Sequence, residues 1–363
     1  MGAEKHQAAP GDPAALADRL FRNLAGALEL LTIYQGERLG LYQALHAGGP
    51  ATSAELAART GTTERYIREW LEHHAVSGLL KVDDPAAGPL ARRYSLPPGH
   101  VPVLADASDV RYQAFSGTEL VRAARWMPQV AEAARTGGAP PPLSWAPEGR
   151  PEFNRAVFLN LLGRQWLPAI ADVDRRLRSQ PPARVADLAC GTGWSSIAMA
   201  QAYPLISVDG FDLDTDAIEA ARCHAAEAGV ADRVTFTAAD ASGLSLSGQY
   251  DLVTILEGLH DMSRPADALR VARGLLRAPG CVIVADERVD EEFTAPASLE
   301  EQYHYGWSVV ACLPAVMGDP DTAATGAVLR PDTLRRYAQQ AGFQDLEILP
   351  VDAGMLRFYR LIP

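Results

Sequence analysis

The residues with the clearest chemical potential stand in one stretch, VADLACGTG, from Val185 to Gly193. An apolar run there meets two glycines, Gly191 and Gly193, and a helical pattern opens directly behind them. Glycine lets the backbone approach a ligand closely, and the first N–H groups of a helix are free to bind one. Nineteen residues past Gly193, Asp212 closes the next apolar run, GFDLD, with Leu213 beside it. A carboxylate at that place can accept hydrogen bonds from both hydroxyls of a ribose. Asp240, followed by Ala241, closes FTAADA, where a carboxylate and the next N–H can address an adenine edge. A lone GxG often marks only a strand-to-helix turn. The turn, the ribose acid and the third-strand acid together, at these intervals, indicate an adenosine cofactor.

The reacting groups are expected further on. A fourth apolar run ends in TILEGLHDMSRP, which places Glu257, His260 and Asp261 at its carboxyl end. Ligands of open α/β sheets lie outside the strand carboxyl ends, so these side chains face the right region. Histidine, with an unperturbed pKa near ~6.5, is the natural base for taking a proton from a hydroxyl at neutral pH. The plainer alternative is a buried histidine that satisfies a backbone group. The next run, CVIVADE, ends on Asp286. An insertion of about 40 residues follows, at 291–329, and contains EEQYHYGWSVVACLPAVMG. Its Tyr303, His304, Trp307 and Met317 are unusually aromatic and apolar for a loop, so it reads as a helical lid whose side chains meet the acceptor; a packing helix or an interface would look the same.

The elements that must position these groups alternate. RVADLA, LISVDGFDL, RVTFTAAD, YDLVTIL, CVIVAD, DLEILPV and MLRFYRL read as strands, and helical stretches at 194–202, 215–228, 264–276 and 331–341 separate most of them. Such alternation predicts an α/β fold with a doubly wound, seven-stranded Rossmann-like sheet. Only Asp352-Ala353-Gly354 separates the last two strands, so they should form a hairpin with the final strand antiparallel. Upstream, residues 1–13 read as a disordered tail. Leu16, Leu20, Leu24, Leu28 and Leu31 then recur at helical spacing to about Tyr34, and a second helix runs from 37 to 46. Thr52 or Ser53 can cap a short helix, Thr63 a longer one ending near Gly78, and LLKVD and RRYSL can pair as strands. Helix, turn, helix and hairpin in that order predict a winged helix over 14–105. Residues 106–136 and 151–178 read as helices of a linking, pocket-lining segment (106–183) joined by the connector GGAPPPLSWAPEGRP; the cofactor domain occupies 184–363.

Composition narrows the function. The chain of 363 residues carries a formal net charge of −12, which argues against bulk affinity for nucleic acid. No stretch approaches the roughly 20 apolar residues of a membrane span. The first dozen residues lack the apolar core of a secretory signal. Cys190, Cys223, Cys281 and Cys312 contain no CxxC pair, so neither a structural metal site nor a disulfide framework is expected, and a cytoplasmic location fits.

Asp187 stands four residues before Gly191, and with Asp212, Asp240 and the closing hairpin this pattern resembles the class I S-adenosylmethionine-dependent methyltransferases. A nicotinamide fingerprint asks for Gly or Ala three positions past Gly193, where Ser196 stands. The family usually has glycine in place of Ala189. The resemblance implies that Asp187 and the Gly191–Gly193 turn hold the methionine end of S-adenosylmethionine, Asp212 the ribose and Asp240 with Ala241 the adenine, with Leu213 and Glu257 as further cofactor contacts. A second resemblance, to the dimeric winged-helix O-methyltransferases, rests on His260-Asp261 and Asp286. It implies His260 as base and Asp286 as the carboxylate that brackets it, though Met262 replaces the usual tryptophan. LGLYQAL, TSAELAARTG, ERYIREWL and YSLPPGH are similar to a bacterial group of winged-helix methyltransferases, some of them regulators.

The stretch Thr63–His74 sets Arg65 and Arg68 against Glu64, Glu69 and Glu72, a net −1 that makes a poor DNA reader. Its Tyr66, Ile67, Trp70 and Leu71 are expected to face inward. Dimerisation through the leucine-rich first helix is the more economical use of this domain, and by resemblance such helices help close the partner's pocket. The expected activity is methylation of a small aromatic or apolar metabolite, on oxygen with His260 as base. Methylation on nitrogen or carbon, a metabolite-sensing transcription regulator, and another reaction at the same cofactor site stay open.

Overall fold

A computed structural model describes residues 12–142, 152–245 and 247–363. Most of the expected N-terminal tail and the connector from 143 to 151 lie outside them. The chain divides into two compact units, Met1–Arg125 and Trp126–Pro363.

The first unit contains α1 (Pro13–Arg38), α2 (Leu41–Gly48), α3 (Ser53–Thr60), α4 (Glu64–Val76), the short paired strands β1 (Lys81–Val82) and β2 (Tyr94–Ser95), α5 (Val101–Leu104) and the start of α6 (Phe115–Thr136). This is the expected winged-helix order. α3 opens with a full capping box, Thr52 with Glu55, whereas Thr63 precedes α4 without a side-chain cap bond. The core gathers Tyr42, Leu56, Ile67, Trp70, Leu71 and Tyr94, with His74 held between Tyr42 Oη at 2.8 Å and the Trp70 carbonyl at 3.1 Å. Tyr66, expected inside, is 72% exposed: it stands at the flank of the α4 face whose centre is formed by Ile67, Trp70 and Leu71. The helix expected from 106 starts only at Phe115. Asp106 and Asp109 each accept the N–H two residues on, and such turns compete with helix.

The second unit continues with α7 (Phe153–Val157), a π-helical run Phe158–Trp166, α8 (Ala171–Leu177), β3 (Arg184–Leu188), α9 (Trp194–Ala202), β4 (Ser207–Asp212), α10 (Thr215–Glu227), β5 (Val234–Ala238), β6 (Tyr250–Leu256), α11 (Pro265–Leu275) and β7 (Leu276–Glu287). The insertion then folds as α12 (Leu299–Trp307), a π-helical turn Ser308–Cys312 and α13 (Leu313–Val316), before α14 (Pro331–Gln340), β8 (Asp345–Ile348) and β9 (Leu356–Ile362). The single helix expected over 151–178 is instead broken after Trp166. Pro168 lacks an N–H there, and the preceding ladder has already shifted to Leu167 N–H bonding the Leu162 carbonyl.

The seven-stranded sheet has the order β5-β4-β3-β6-β7-β9-β8. β3 to β7 pair in parallel, and β9 lies antiparallel between β7 and β8, as the short closing turn requires. Both faces of the sheet are covered. Val185, Ile283 and Phe358 pack with Phe158, Trp166 and Ile197 on one side; Leu188, Val253 and Val284 pack with Leu269, Leu334 and Phe343 on the other. Neighbouring strands rise on opposite sides of β3 and β6, which creates a switch point at their carboxyl ends.

Gly163 of the π-helical run allows a close approach to α9: a Cβ there would sit 2.3 Å from Ala202 Cβ. Gly163→Ala should therefore destabilise the protein by about 1–3 kcal/mol through overpacking, read as a lower urea midpoint with unchanged slope. An unchanged midpoint would show that the two segments can part without cost.

Candidate active site

β3 ends two residues before the glycine turn, and Asp187 lies within it, 1% exposed. Its Oδ2 accepts from Ser195 Oγ and Ser196 Oγ, each at 2.6 Å, and its Oδ1 from Thr254 Oγ1 at 2.7 Å. Burial raises its carboxyl above the usual range, against the pull of these three hydroxyls. The resemblance implied a ligand contact for Asp187. The carboxylate is committed instead to α9 and β6, and it is absent from the lining of the adjacent cavity.

That cavity, of about 590 Å³, opens at the switch point. Gly191 (φ 52°) lines it, and nothing lies within 4 Å of where its Cβ would stand. Gly193 (φ 84°) does not line it; a Cβ there would meet the Phe236 ring at 2.6 Å, so this glycine serves packing. Asp212 reaches the cavity from the end of β4, with Oδ2 accepting from Gly191 N–H at 2.8 Å and Oδ1 from Asp214 N–H at 2.9 Å. Leu213, Asp240 and Ala241 line the same wall. Asp240 accepts from Ser242 and forms an ion pair with Arg264 at 3.0 Å.

Glu257 closes β6 in the left-handed region (φ 56°), a conformation that costs a non-glycine residue about 1–3 kcal/mol. The kink leaves its carboxyl at the cavity. Asn154 bonds it from α7, Oε2 is buried without a partner among the described residues, and burial pushes its pKa up to about 7. Beyond it, His260 is 4% exposed, with Nδ1 2.8 Å from Asp286 Oδ1 and Nε2 3.4 Å from Asp261 Oδ1. Burial opposes a charge on the ring, but the carboxylates of Asp286 and Asp261 outweigh it and hold His260 well above the ordinary histidine value. Asp286 is fully buried. Of this trio only Asp261 lines the cavity.

The expected acceptor contacts fare differently. Tyr303 and Met317 are largely exposed, and Tyr303 packs edge-on against Trp307, one turn along α12. His304 is buried, with Nδ1 3.3 Å from Glu287 and Nε2 without a partner among the described residues. None of the four lines the cavity; Ala315, Val316 and Asp319 of the same insertion do. The segment reaches the cavity through residues other than its aromatic ones, since a helix shows only one face to a cavity. Sequence reasoning also missed Glu152, Asn154, Trp194 and Arg264. Trp194 stacks on His224 with centroids 4.4 Å apart, and its buried Nε1 lacks a partner. Only its position one residue past the glycine turn could have signalled it.

Comparison with known proteins agrees with this geometry. Residues 180–342 match a methyltransferase domain and residues 26–106 an Rv2258c-like winged helix-turn-helix domain. A ubiquinone biosynthesis O-methyltransferase of Burkholderia pseudomallei is 30% identical over 204 residues, 56% of this chain and 79% of that protein. The chain belongs to the S-adenosylmethionine-dependent methyltransferases. Human N-acetylserotonin methyltransferase, solved with S-adenosylmethionine, shares its fold at a TM-score of 0.70 and 19% identity, covering 100% of this chain and 99% of that one. A mitomycin 7-O-methyltransferase does so at 0.67 and 24% identity, covering 96% and 98%.

The cavity suits the cofactor of this methyltransferase. Its volume lies within the ~300–1,000 Å³ of small-molecule sites. Its described lining carries seven carboxyl side chains (Glu152, Asp212, Asp214, Asp240, Glu257, Asp261 and Asp319) against one guanidinium, Arg264. Such a wall favours a ligand bearing a sulfonium and an ammonium. The orphaned Glu257 Oε2 can accept from the ammonium, and Asp212 stands on the cavity wall where its carboxylate can meet the ribose hydroxyls. Asp212→Asn and Glu257→Gln should each weaken S-adenosylmethionine binding about tenfold or more, the loss of one charge-assisted hydrogen bond, measured by titration calorimetry. Unchanged affinity in either variant would remove that residue from the cofactor wall.

Proposed function

We propose that this methyltransferase acts on a hydroxyl oxygen of a small, aromatic or apolar metabolite, with His260 as general base. The observation that carries this reading is the buried 2.8 Å contact between His260 Nδ1 and Asp286, which fixes the ring with Nε2 turned toward Asp261 at the cavity. When bound, S-adenosylmethionine supplies an electrophilic methyl group. His260 Nε2 takes the acceptor's proton, and Asp286 stabilises the imidazolium that results. The 3.4 Å contact with Asp261, whose side chain is 50% exposed, is loose enough to yield to the acceptor. The relative and one similar structure are both named as O-methyltransferases, in keeping with an oxygen acceptor.

Residues 14–105 serve dimerisation in this reading, 106–183 contribute cavity-lining helices, and 184–363 form the cofactor domain with 291–329 as lid. Glu152, Asn154 and Phe158 from the second segment and Ala315 and Val316 from the lid line the cavity. The α1 stripe of Leu16, Leu20, Phe21, Leu24, Leu28 and Leu31 is exposed, as expected of a face that meets a second copy. DNA reading is disfavoured because Arg65 pairs with Glu69 and Arg68 with Glu64 on α4 itself. No helix among the described residues is long and apolar enough to cross a membrane, and we place the protein in the cytoplasm.

The rate should climb with pH as His260 loses its proton, and because its pKa is raised, that limb should lie above the ordinary histidine range. His260→Ala should lower kcat by about 10²–10⁴. Asp286→Asn should move the limb to lower pH as well as slow the reaction; a pH profile identical to that of the parent enzyme would refute the base assignment. Leu20→Asp with Leu24→Asp should convert a dimer to monomer in light scattering, and a monomeric parent protein would exclude the dimer.

A further inference from the structure

Three metal-capable side chains converge beside the base. His260 and Asp261 come from the turn after β6, and Cys312 comes from the π-helical turn that follows α12, more than 50 residues later. One ring nitrogen of His260, an Asp261 carboxylate oxygen and Cys312 Sγ all lie within 4.8 Å of one another. Tetrahedral zinc holds nitrogen and oxygen at ~2.0–2.2 Å and sulfur at ~2.3 Å, so its ligands stand about 3.3–3.8 Å apart. The 3.4 Å between Nε2 and Oδ1 is already such an edge.

The surroundings complete the pattern. A metal-bound histidine almost always directs its other ring nitrogen to a carboxylate, which fixes the tautomer and raises the basicity of the ligating nitrogen. Asp286, fully buried at 2.8 Å from Nδ1, holds that place. Imidazole, thiolate and carboxylate together select a borderline-soft ion such as zinc over magnesium or calcium. Among the described residues no other group of three such side chains converges in this way.

We propose that His260, Asp261 and Cys312 form a binding site for one Zn²⁺ ion, and that its occupation reversibly inhibits methyl transfer. On binding, the Cys312 S–H bond breaks and its electron pair forms the sulfur–zinc bond; a protonated His260 likewise gives up its Nε2 proton so that this lone pair can bind the ion, and the protons leave to solvent; nothing is oxidised or reduced. The ion takes the lone pair of His260 Nε2, so the inhibitory half of the proposal rests on His260 being the base, while the binding half does not.

Cobalt(II) reports the site directly. The full chain titrated with Co²⁺ should bind one equivalent and show the near-ultraviolet thiolate charge-transfer band with the visible bands of tetrahedral cobalt, all displaced by Zn²⁺. Cys312→Ser should abolish the charge-transfer band, and Asp261→Asn should weaken Co²⁺ binding at least tenfold. Cys223→Ser, at an exposed cysteine, should leave the band in place. Zinc should suppress methyl transfer and a chelator should restore it, with Cys312→Ser at least tenfold less sensitive. Absence of a thiolate band, or its loss in Cys223→Ser alone, overturns the site. A Cys312-dependent band together with undiminished activity in zinc keeps the site and overturns both the inhibition and the base assignment.

Discussion

A buried carboxylate that accepts three hydroxyl hydrogen bonds holds the centre of this molecule together. Asp187 sits in β3 and draws Ser195 and Ser196 from α9 and Thr254 from β6 onto its two oxygens. A charge in that position is costly unless fully satisfied, so the three elements must arrive in one register or the site does not form. The glycine turn is spanned by this network. Its path from β3 to α9 is set at both ends, and Gly191 can meet Asp212 across the gap to β4 only because the turn is so held.

From that anchor the electrostatics of the cavity follow. Parallel strands deliver their carboxyl ends to one edge, and each of β4, β5, β6 and β7 brings an acid there or close by: Asp212, Asp240, Glu257 and Asp286. Repulsion among them is answered locally. Arg264 pairs with Asp240, His260 lies against Asp286, and Glu257 resists ionisation, near pH 7, because burial outweighs the pull of His260. The cavity is thus prepared for positive charge before any ligand enters.

Much of this was legible in the chain. Residue type and spacing gave the strands, the glycine turn and the acids at strand ends, because a strand with period two and a turn demanding positive φ leave strong local marks. Asp212, Asp240 and Glu257 reach the cavity from the places the pattern assigned them. Asp187 and Gly193, which the resemblance assigns to the ligand, are engaged with the scaffold, Asp187 by three hydroxyls and Gly193 by the Phe236 ring, and a sequence does not tell a carboxylate facing a ligand from one facing its own fold. The insertion shows the same limit. Its apolar character is plain in the chain, but which face of α12 turns outward depends on packing, and Ala315 and Val316, not Tyr303 or Trp307, line the cavity. The convergence of Cys312 on His260 spans more than 50 residues and left no local trace.

The place of β9 in the sheet has a consequence for the growing chain. β7, which carries Asp286, pairs on one side with β6 and on the other with β9, which is made only after the whole insertion and α14. Until then one margin of β7 presents unpaired backbone groups beside a long apolar run, Val282 to Ala285, a template for pairing with other nascent chains. The edge left exposed in that interval is therefore the strand that positions the histidine, and residues made well after it protect the chemistry as well as the fold.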